Sequence, residues 1–360
     1  MTACAGQANV PAPSMRILLT ADPELPVPPP LYGGIERIVD ALVSQLRARG
    51  HVVGLLAHRD STSPATNRYA WPGRRSQRAV DTARNSLALR RAIAHFGPDV
   101  VHSFSRLLYL LPVLPTGLPK IMSYQRLPGR RQVAAGVFFG GKSLEFTGCS
   151  QYICDMGVRG GGRWHAIHNC VDVDIYPFHE KVAADAPLVF LSRVERLKGA
   201  HVAIEVALKT GRRLIIAGNH GEHGEEGEYW RKEIAPRLNP GAVEYVGPVN
   251  DQQKAELLGG ASAMIVPIQW DEPFGIVFAE ALACGTPVIS CARGALPEIV
   301  RQGIDGYLVS GVEEACAAVE KIPRIARSDC RARAETCFST RVIGSKYEQL
   351  YERMRGARTA

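Results

Sequence analysis

The chain has 360 residues, 46% hydrophobic and 22% charged, a globular composition long enough for about two domains. No apolar run approaches the ~20 residues of a membrane-spanning helix, and nine cysteines without a C-x-x-C pair read as reduced thiols of a cytoplasmic protein, not as a disulfide framework or zinc site. The net charge of +8 is uneven: residues 1–170 carry 20 Lys and Arg against 9 Asp and Glu, while the remainder carries 23 against 26.

In chain order, residues 1–14 lack the basic and apolar regions of a secretory signal and are expected to form a disordered lead. Met15 to Thr20 is a first strand, and the five prolines between Ala21 and Leu31 make a loop. Gly33-Gly34 precedes a helix from Ile35 to Arg49, with Ile35, Ile38, Val39, Leu42, Val43 and Leu46 at helical spacing. Gly50 ends it, and Val52 to Ala57 is the next strand. This β-α-β opening is Rossmann-like without the dinucleotide fingerprint. A phosphate can approach the Gly33-Gly34 backbone closely, although the local sequence by itself favours a plain tight turn into the helix.

Asp81 to Phe96 is a helix. The strand entered at Pro98-Asp99 ends at His102, and Lys120 to Tyr124 is a strand followed by Gln125. Phe146 to Ser150 and Ile167 to Asp172 follow. Asp172-Val173-Asp174 is a D-x-D in a linker, read as coincidence, and His165 and His168 as linker residues. The second domain starts with strand Leu188 to Ser192. Arg193 and Lys198 lie in the turn before a helix from Gly199 to Thr210. Cations are electrostatically misplaced at a helix amino terminus, which favours an anionic ligand there. Strands follow at Arg212–Ala217 and Val243–Val249, separated by the His- and Glu-rich 218–228, read as a solvated loop.

Ala263 to Val266 is a buried strand stopped by Pro267, and Ile276 to Cys284 is a helix closed by Gly285. The loop between carries Glu272 and Gly275 at the carboxyl end of a strand, where α/β folds bind ligands. The amides at the helix start favour an anion. Glu280 lies two turns along the helix and reaches further along the same ligand. Arg331 to Arg355 is a terminal helical stretch.

Glu272-Pro273-Phe274-Gly275 followed by Glu280 resembles the E-x7-E signature of the family-4 retaining glycosyltransferases. Ser192 to Gly199 resembles that family's phosphate-binding segment, and Tyr32-Gly33-Gly34-Ile35-Glu36 its glycine loop. Phe146 to Ser150 resembles the strand that precedes the family's serine, and Ile167 to Asp172 the segment leading to its second domain. Gly285-Thr286-Pro287 and Asp305-Gly306-Tyr307 follow in the family's order, so the resemblance runs from about Met15 to Tyr351. It implies the GT-B fold: two Rossmann-like α/β domains with parallel sheets facing a cleft. The expected division is an acceptor-side domain over 15–170, a nucleotide-sugar domain over 171–335, and a terminal helix over 336–360 returning to the first domain.

The same resemblance implies a retaining hexosyltransferase using a nucleotide-diphospho-sugar, UDP-linked before GDP-linked, as co-substrate, with no further cofactor; without a convincing carboxylate cluster in the sequence, no bound metal is expected. It assigns catalysis to Arg193, Lys198 and Glu272. Donor binding falls to these three with Gly33, Gly34, Val249, Phe274, Gly275, Ile276 and Glu280. Sugar or acceptor contacts fall to His102 and Gln125. The family places a histidine where Gln125 stands, and an amide cannot take a proton at neutral pH. Two rivals remain: a sugar-nucleotide epimerase of the same fold, and a binding protein without turnover, which the departure at Gln125 keeps open. The acceptor, whether glycan, lipid-linked saccharide or small molecule, is not legible, and cell-envelope polysaccharide synthesis is the expected setting. The basic first half reads either as attraction to an anionic inner membrane face or a phosphate-bearing acceptor, or as a solvated arginine-rich face. No nucleic-acid module accompanies it.

Overall fold

The computed structural model describes residues 14–30 and 33–359. The expected lead over 1–13 and Tyr32 of the glycine loop lie outside the described residues. The chain forms two parallel sheets. The first holds β1 (Arg16–Thr20), β2 (Val52–Ala57), β3 (Asn67–Ala70), β4 (Val100–Ser103), β5 (Lys120–Tyr124), β6 (Leu144–Gly148) and β7 (Trp164–Ala166), in the order β3-β2-β1-β4-β5-β6-β7. The second holds β8 (Leu188–Leu191), β9 (Leu214–Ala217), β10 (Val243–Gly247), β11 (Ala263–Val266), β12 (Val288–Cys291) and β13 (Gly306–Val309), ordered β10-β9-β8-β11-β12-β13. Helices cover both faces. The central strands are therefore apolar along their length: all four residues of β8 and of β11 are buried. These are two Rossmann-like α/β domains.

Strand order reverses between β1 and β4 in the first sheet and between β8 and β11 in the second. At such a switch the connecting helices leave toward opposite faces, and a crevice opens beyond the strand ends. The segments following β8 and β11 carry the two motifs singled out above, so sheet topology brings together residues some 70 positions apart.

Two linkers join the domains side by side. Val171 N–H donates to Phe338 O at 2.8 Å, and Thr340 N–H to Val171 O at 3.1 Å. A terminal helical stretch was expected over 331–355. In the structure Arg327–Arg333 is α-helical, 334–338 winds as a π-turn, and Ser339 is extended where the chain crosses between domains. The helix Thr340–Thr359 then lies on the first domain, against the helix Gly34–Ala48 and β4, and its Ile343, Tyr347, Leu350, Tyr351 and Met354 share one buried core with Ile38, Leu42 and Leu46. The 218–228 loop is also more ordered than expected. Gly224–Tyr229 is helical, and His220 stacks on Trp230 with centroids 4.0 Å apart.

Candidate functional site

The Arg193–Lys198 turn leaves β8, and the Pro267–Gly275 loop leaves β11. The two are tied by Gln269 N–H donating to Leu197 O at 2.7 Å. Gly199, with φ +78°, lets them approach this closely: a Cβ there would lie 2.2 Å from Pro267 O. The result is the central contact of the site. Lys198 Nζ donates to Glu272 Oε2 at 2.5 Å, and both side chains are 11% exposed. Trp270 Nε1 donates to the same oxygen at 3.0 Å, while its ring lies 4.7 Å below the ammonium. A charged hydrogen bond and a ring quadrupole thus fix the lysine. The Glu272 backbone is held from behind, where Ala295 N–H donates to its carbonyl at 2.9 Å. Gly294, with φ +56°, permits this, since a Cβ would meet Glu272 O at 2.2 Å.

Arg193 stands at the rim. Its side chain is 49% exposed and pairs with Glu195 at 2.5 Å. Gly275 forms the amino-terminal cap of the helix Ile276–Ala283, beyond buried Phe274. Across the crevice, Gly34 of the first domain lies against Ile276, whose Cδ1 is 3.1 Å from where a Gly34 Cβ would be. Gly33 directly precedes that contact and caps its helix. Val249 is half-buried beyond β10. The outward amides of the 276–283 helix, Lys198 and Arg193 therefore face one region able to hold an anion.

Glu280 is 7% exposed and already partnered. Its Oε1 accepts from Tyr176 O–H at 2.7 Å and from Lys254 Nζ at 2.6 Å. Lys254 also meets Asp251 at 3.3 Å, and Asp251 accepts from Arg37 of the first domain at 2.5 Å. Burial raises the Asp251 carboxyl, but Lys254 and Arg37 together hold it below the usual range. A charge chain thus runs from the E-x7-E helix to the opposite domain. Burial beside the Glu280 carboxylate pushes the Tyr176 phenol far up, so it stays a donor. Neither Lys254 nor Tyr176 was singled out from the sequence: one is a lysine in a polar helix, the other a tyrosine in a linker.

His102 requires correction. It was expected to face the cleft, yet it is 0% exposed beneath the terminal helix. Nδ1 pairs with Tyr351 Oη and Nε2 with Ser123 Oγ, each at 2.6 Å, and burial lowers its pKa to about 3. With both ring nitrogens occupied and the ring neutral, it ties β4 to the terminal helix. Gln125 is half-buried just past the carboxyl end of β5.

His168 and Glu298 form a second pair, of which the sequence marked only the histidine, and that as a linker residue. Glu298 precedes β13, yet it accepts from the Gln151 amide at 2.7 Å, the Tyr152 amide at 2.9 Å and His168 Nε2 at 2.9 Å. It thereby satisfies two of the free amides at the start of the helix Gln151–Gly157 in the other domain. Burial raises its carboxyl, but these three bonds outweigh that and hold the pKa below the usual range. Ser150 caps the same helix and also donates to Pro273 O at 2.6 Å, inside the E-x7-E loop.

In the first domain Asp22 follows β1 at the switch point. Among the described residues its Oδ1 is buried without a hydrogen-bond partner, and Arg126 stands 3.9 Å from Oδ2. Burial, reinforced by Glu24, raises its pKa to about 6.

Comparison with known proteins agrees with this geometry. Residues 32–175 match the family described as Glycosyltransferase Family 4, and residues 176–336 that described as Glycosyl transferases group 1. A D-inositol 3-phosphate glycosyltransferase of Mycobacterium tuberculosis is 35% identical over 162 residues, covering 42% of this chain and 34% of the relative. The match thus spans about a third of the length of such curated relatives. Among solved structures, AviGT4, a glycosyltransferase involved in avilamycin A biosynthesis, is 26% identical with a TM-score of 0.71, over 95% of this chain and 98% of that one. Anabaena HepE, solved in complex with UDP-glucose, has a TM-score of 0.71 over 94% of this chain and 100% of its own, at 16% identity, a likeness of fold alone.

Proposed function

The chain belongs to the family-4 glycosyltransferases, and on that premise we propose that it transfers a hexose, with retention of anomeric configuration, from a nucleotide-diphospho-sugar held by the second domain to an acceptor held by the first. The observation that carries this reading is the Lys198–Glu272–Trp270 constellation at the β8/β11 switch, beside the start of the 276–283 helix. In the absence of donor, Lys198 is neutralised by Glu272. A diphosphate arriving at the helix start takes over the ammonium and recruits Arg193 from the rim, releasing the Glu272 carboxylate toward sugar hydroxyls. As the sugar–phosphate bond breaks, negative charge grows on the departing β-phosphate, and these cations and the Phe274-Gly275-Ile276 amides stabilise it. Glu280 binds the ribose through Oε2, since Tyr176 and Lys254 both bond Oε1. The donor is a UDP-sugar by preference over a GDP-sugar. HepE, whose structure was determined with UDP-glucose, shares the fold, but the choice of base rests on the family resemblance.

A thermal-shift screen of UDP- and GDP-sugars on the wild type and on Glu280→Ala tests this. A ligand at 100 times its Kd adds about 2.7 kcal/mol of stability. The expected result is a shift with one nucleotide class that Glu280→Ala abolishes. Absence of any shift on folded protein would remove the reading and leave only the fold.

A further inference from the structure

The first domain is basic overall, yet its own switch point is acidic. The connections of β1 and β4 diverge there, and the ladder runs one residue past β1, where Ala21 N–H donates to Leu56 O at 3.1 Å. Thr20 and Asp22, two apart along this continued ladder, therefore project to the same side. On that side Thr20 Oγ1 lies 3.0 Å from Ser103 Oγ and 2.7 Å from Ser105 Oγ, and the two serine hydroxyls lie 3.0 Å apart. All three residues are buried. Each hydroxyl carries one proton. Three mutual bonds use all three protons, so the triangle offers a ligand only lone pairs.

Asp22 stands beside this floor, its side chain 18% exposed and its Oδ1 without a partner among the described residues. Tyr109 is 0% exposed, and its Oη likewise has no partner among the described residues. Its ring packs on Trp71 with centroids 5.1 Å apart, and Trp71 Nε1 donates to Ala21 O at 2.7 Å, next to Asp22. Asn85 lies nearby but is engaged with Gly73 at both ends of its amide, at 2.8 and 3.2 Å. Burial raises the Tyr109 phenol, and Asp22 and Glu24 push it further up. Glu24 and buried Glu36 add to the negative charge around Asp22, while Arg126 and Arg106 oppose it. Three carboxylates thus outnumber two guanidiniums. Arg126 is 76% exposed, where solvent screens it, and at 3.9 Å from Asp22 Oδ2 it is loosely held.

This group borders the donor side of the crevice. Glu36 Oε2 lies 2.8 Å from where a Gly33 Cβ would be, and Gly34 lies against Ile276 at the start of the 276–283 helix. We propose that Asp22 is the acceptor-selecting residue of the transferase, and that it takes an uncharged polyol, a sugar or cyclitol, whose hydroxyls donate to its carboxylate and accept from Tyr109 Oη. Arg126 swings aside to admit the ligand. A buried carboxylate oxygen without a donor costs stability, and an acceptor hydroxyl supplies the missing bond. A phosphate in the same place would meet three carboxylates and a floor of lone pairs, so phosphorylated polyols are rejected. This rests on the transferase reading proposed above and gives the acceptor its chemical class.

The test uses the full chain with the donor identified by the thermal screen. Release of nucleoside diphosphate is measured with glucose and myo-inositol as acceptor probes, and with the monophosphate of each. The wild type is compared with Asp22→Asn and with Tyr109→Phe, which keeps the packed ring. The expected result is release stimulated by the neutral probes and at least about tenfold less by their phosphates. Asp22→Asn lowers kcat/KM for the neutral probes about 10–100-fold, as loss of a charged hydrogen bond does, and Tyr109→Phe about threefold or more. The donor KM and the donor-induced thermal shift stay unchanged in both variants. Wild type stimulated by neither neutral probe, or equally by the phosphates, overturns the proposal. So does an unchanged kcat/KM in Asp22→Asn. A donor-induced shift that persists alongside such a failure leaves the transferase reading standing. Absence of that shift in folded wild type instead removes the transferase reading, and this proposal with it.

Discussion

Removing the ammonium from the Lys198–Glu272 pair separates its structural role from its proposed chemical one. Both side chains are 11% exposed, so Lys198→Ala strands a carboxylate whose remaining partner among the described residues is the Trp270 N–H. Breaking a buried pair on one side costs about 3–5 kcal/mol, and the remaining indole bond places the expected loss near the lower end, about 3 kcal/mol. Adding Glu272→Gln removes the stranded charge. The double variant is therefore expected to recover at least half of that loss in urea denaturation. Turnover behaves differently. Without the cation, charge on the leaving diphosphate is left unbalanced, and by analogy with deletion of an oxyanion donor the rate falls about 10²–10³-fold. An amide at position 272 cannot supply that charge, so turnover stays low in the double variant. The assay pairs denaturation curves with release of nucleoside diphosphate from whichever donor the thermal screen identifies. If turnover returns together with stability, the lysine serves only to hold the loop, and the proposed role in leaving-group stabilisation is wrong.

Three further predictions concern the surrounding scaffold. Glu298→Gln keeps an acceptor but removes the charge from three bonds, and at pH 7 it is expected to destabilise the protein by about 1–3 kcal/mol. Because the folded pKa of Glu298 is depressed, this stabilisation is present above the ordinary glutamate value of about 4.3 and is lost as pH falls through the folded value. The wild-type and variant stability curves should therefore converge in acid, and a gap that persists there would contradict the assignment. Asp22 has the opposite sign: its pKa is raised to about 6, so the folded state gains from protonation at low pH and loses that gain as pH rises through 6. Asp22→Asn should raise stability at pH 7.5 by up to about 3 kcal/mol and do nothing near pH 3, whereas a lower melting temperature at pH 7.5 would show that the carboxylate is well compensated. His102→Ala strands the Tyr351 and Ser123 hydroxyls and opens a cavity, costing about 2–4 kcal/mol. The donor-induced thermal shift should survive in the folded fraction, and its loss would return His102 to the ligand site.

The elements that carry the site were legible in the sequence because each depends on local rules. The apolar run Ala263–Val266 stops at proline, the helix 276–283 follows glycine, the strand 52–57 is apolar apart from Gly54, and the strand 120–124 carries Ile121, Met122 and Tyr124. The short polar strand Asn67–Ala70 had no such pattern. It exists because β2 offers it a parallel partner. The His- and Glu-rich 218–228 stretch looked solvated for a related reason: the stacking partner of His220 lies in a different turn of the chain.

By itself the sequence determined that there are two α/β domains, that a strand–loop–helix carries Glu272 and Glu280, and that cations at Arg193 and Lys198 precede a helix. Periodicity, glycine and proline positions and charge at helix ends act over a few residues and need no partner. Only the tertiary structure decided that Lys198 meets Glu272, that Lys254 and Tyr176 occupy one oxygen of Glu280, that Glu298 caps a helix of the other domain, and that His102 is sealed beneath Tyr351. Those pairings join residues between 26 and 249 positions apart. They are set by which strands lie side by side at the switch points and by where the chain crosses between domains, and no local pattern encodes that adjacency.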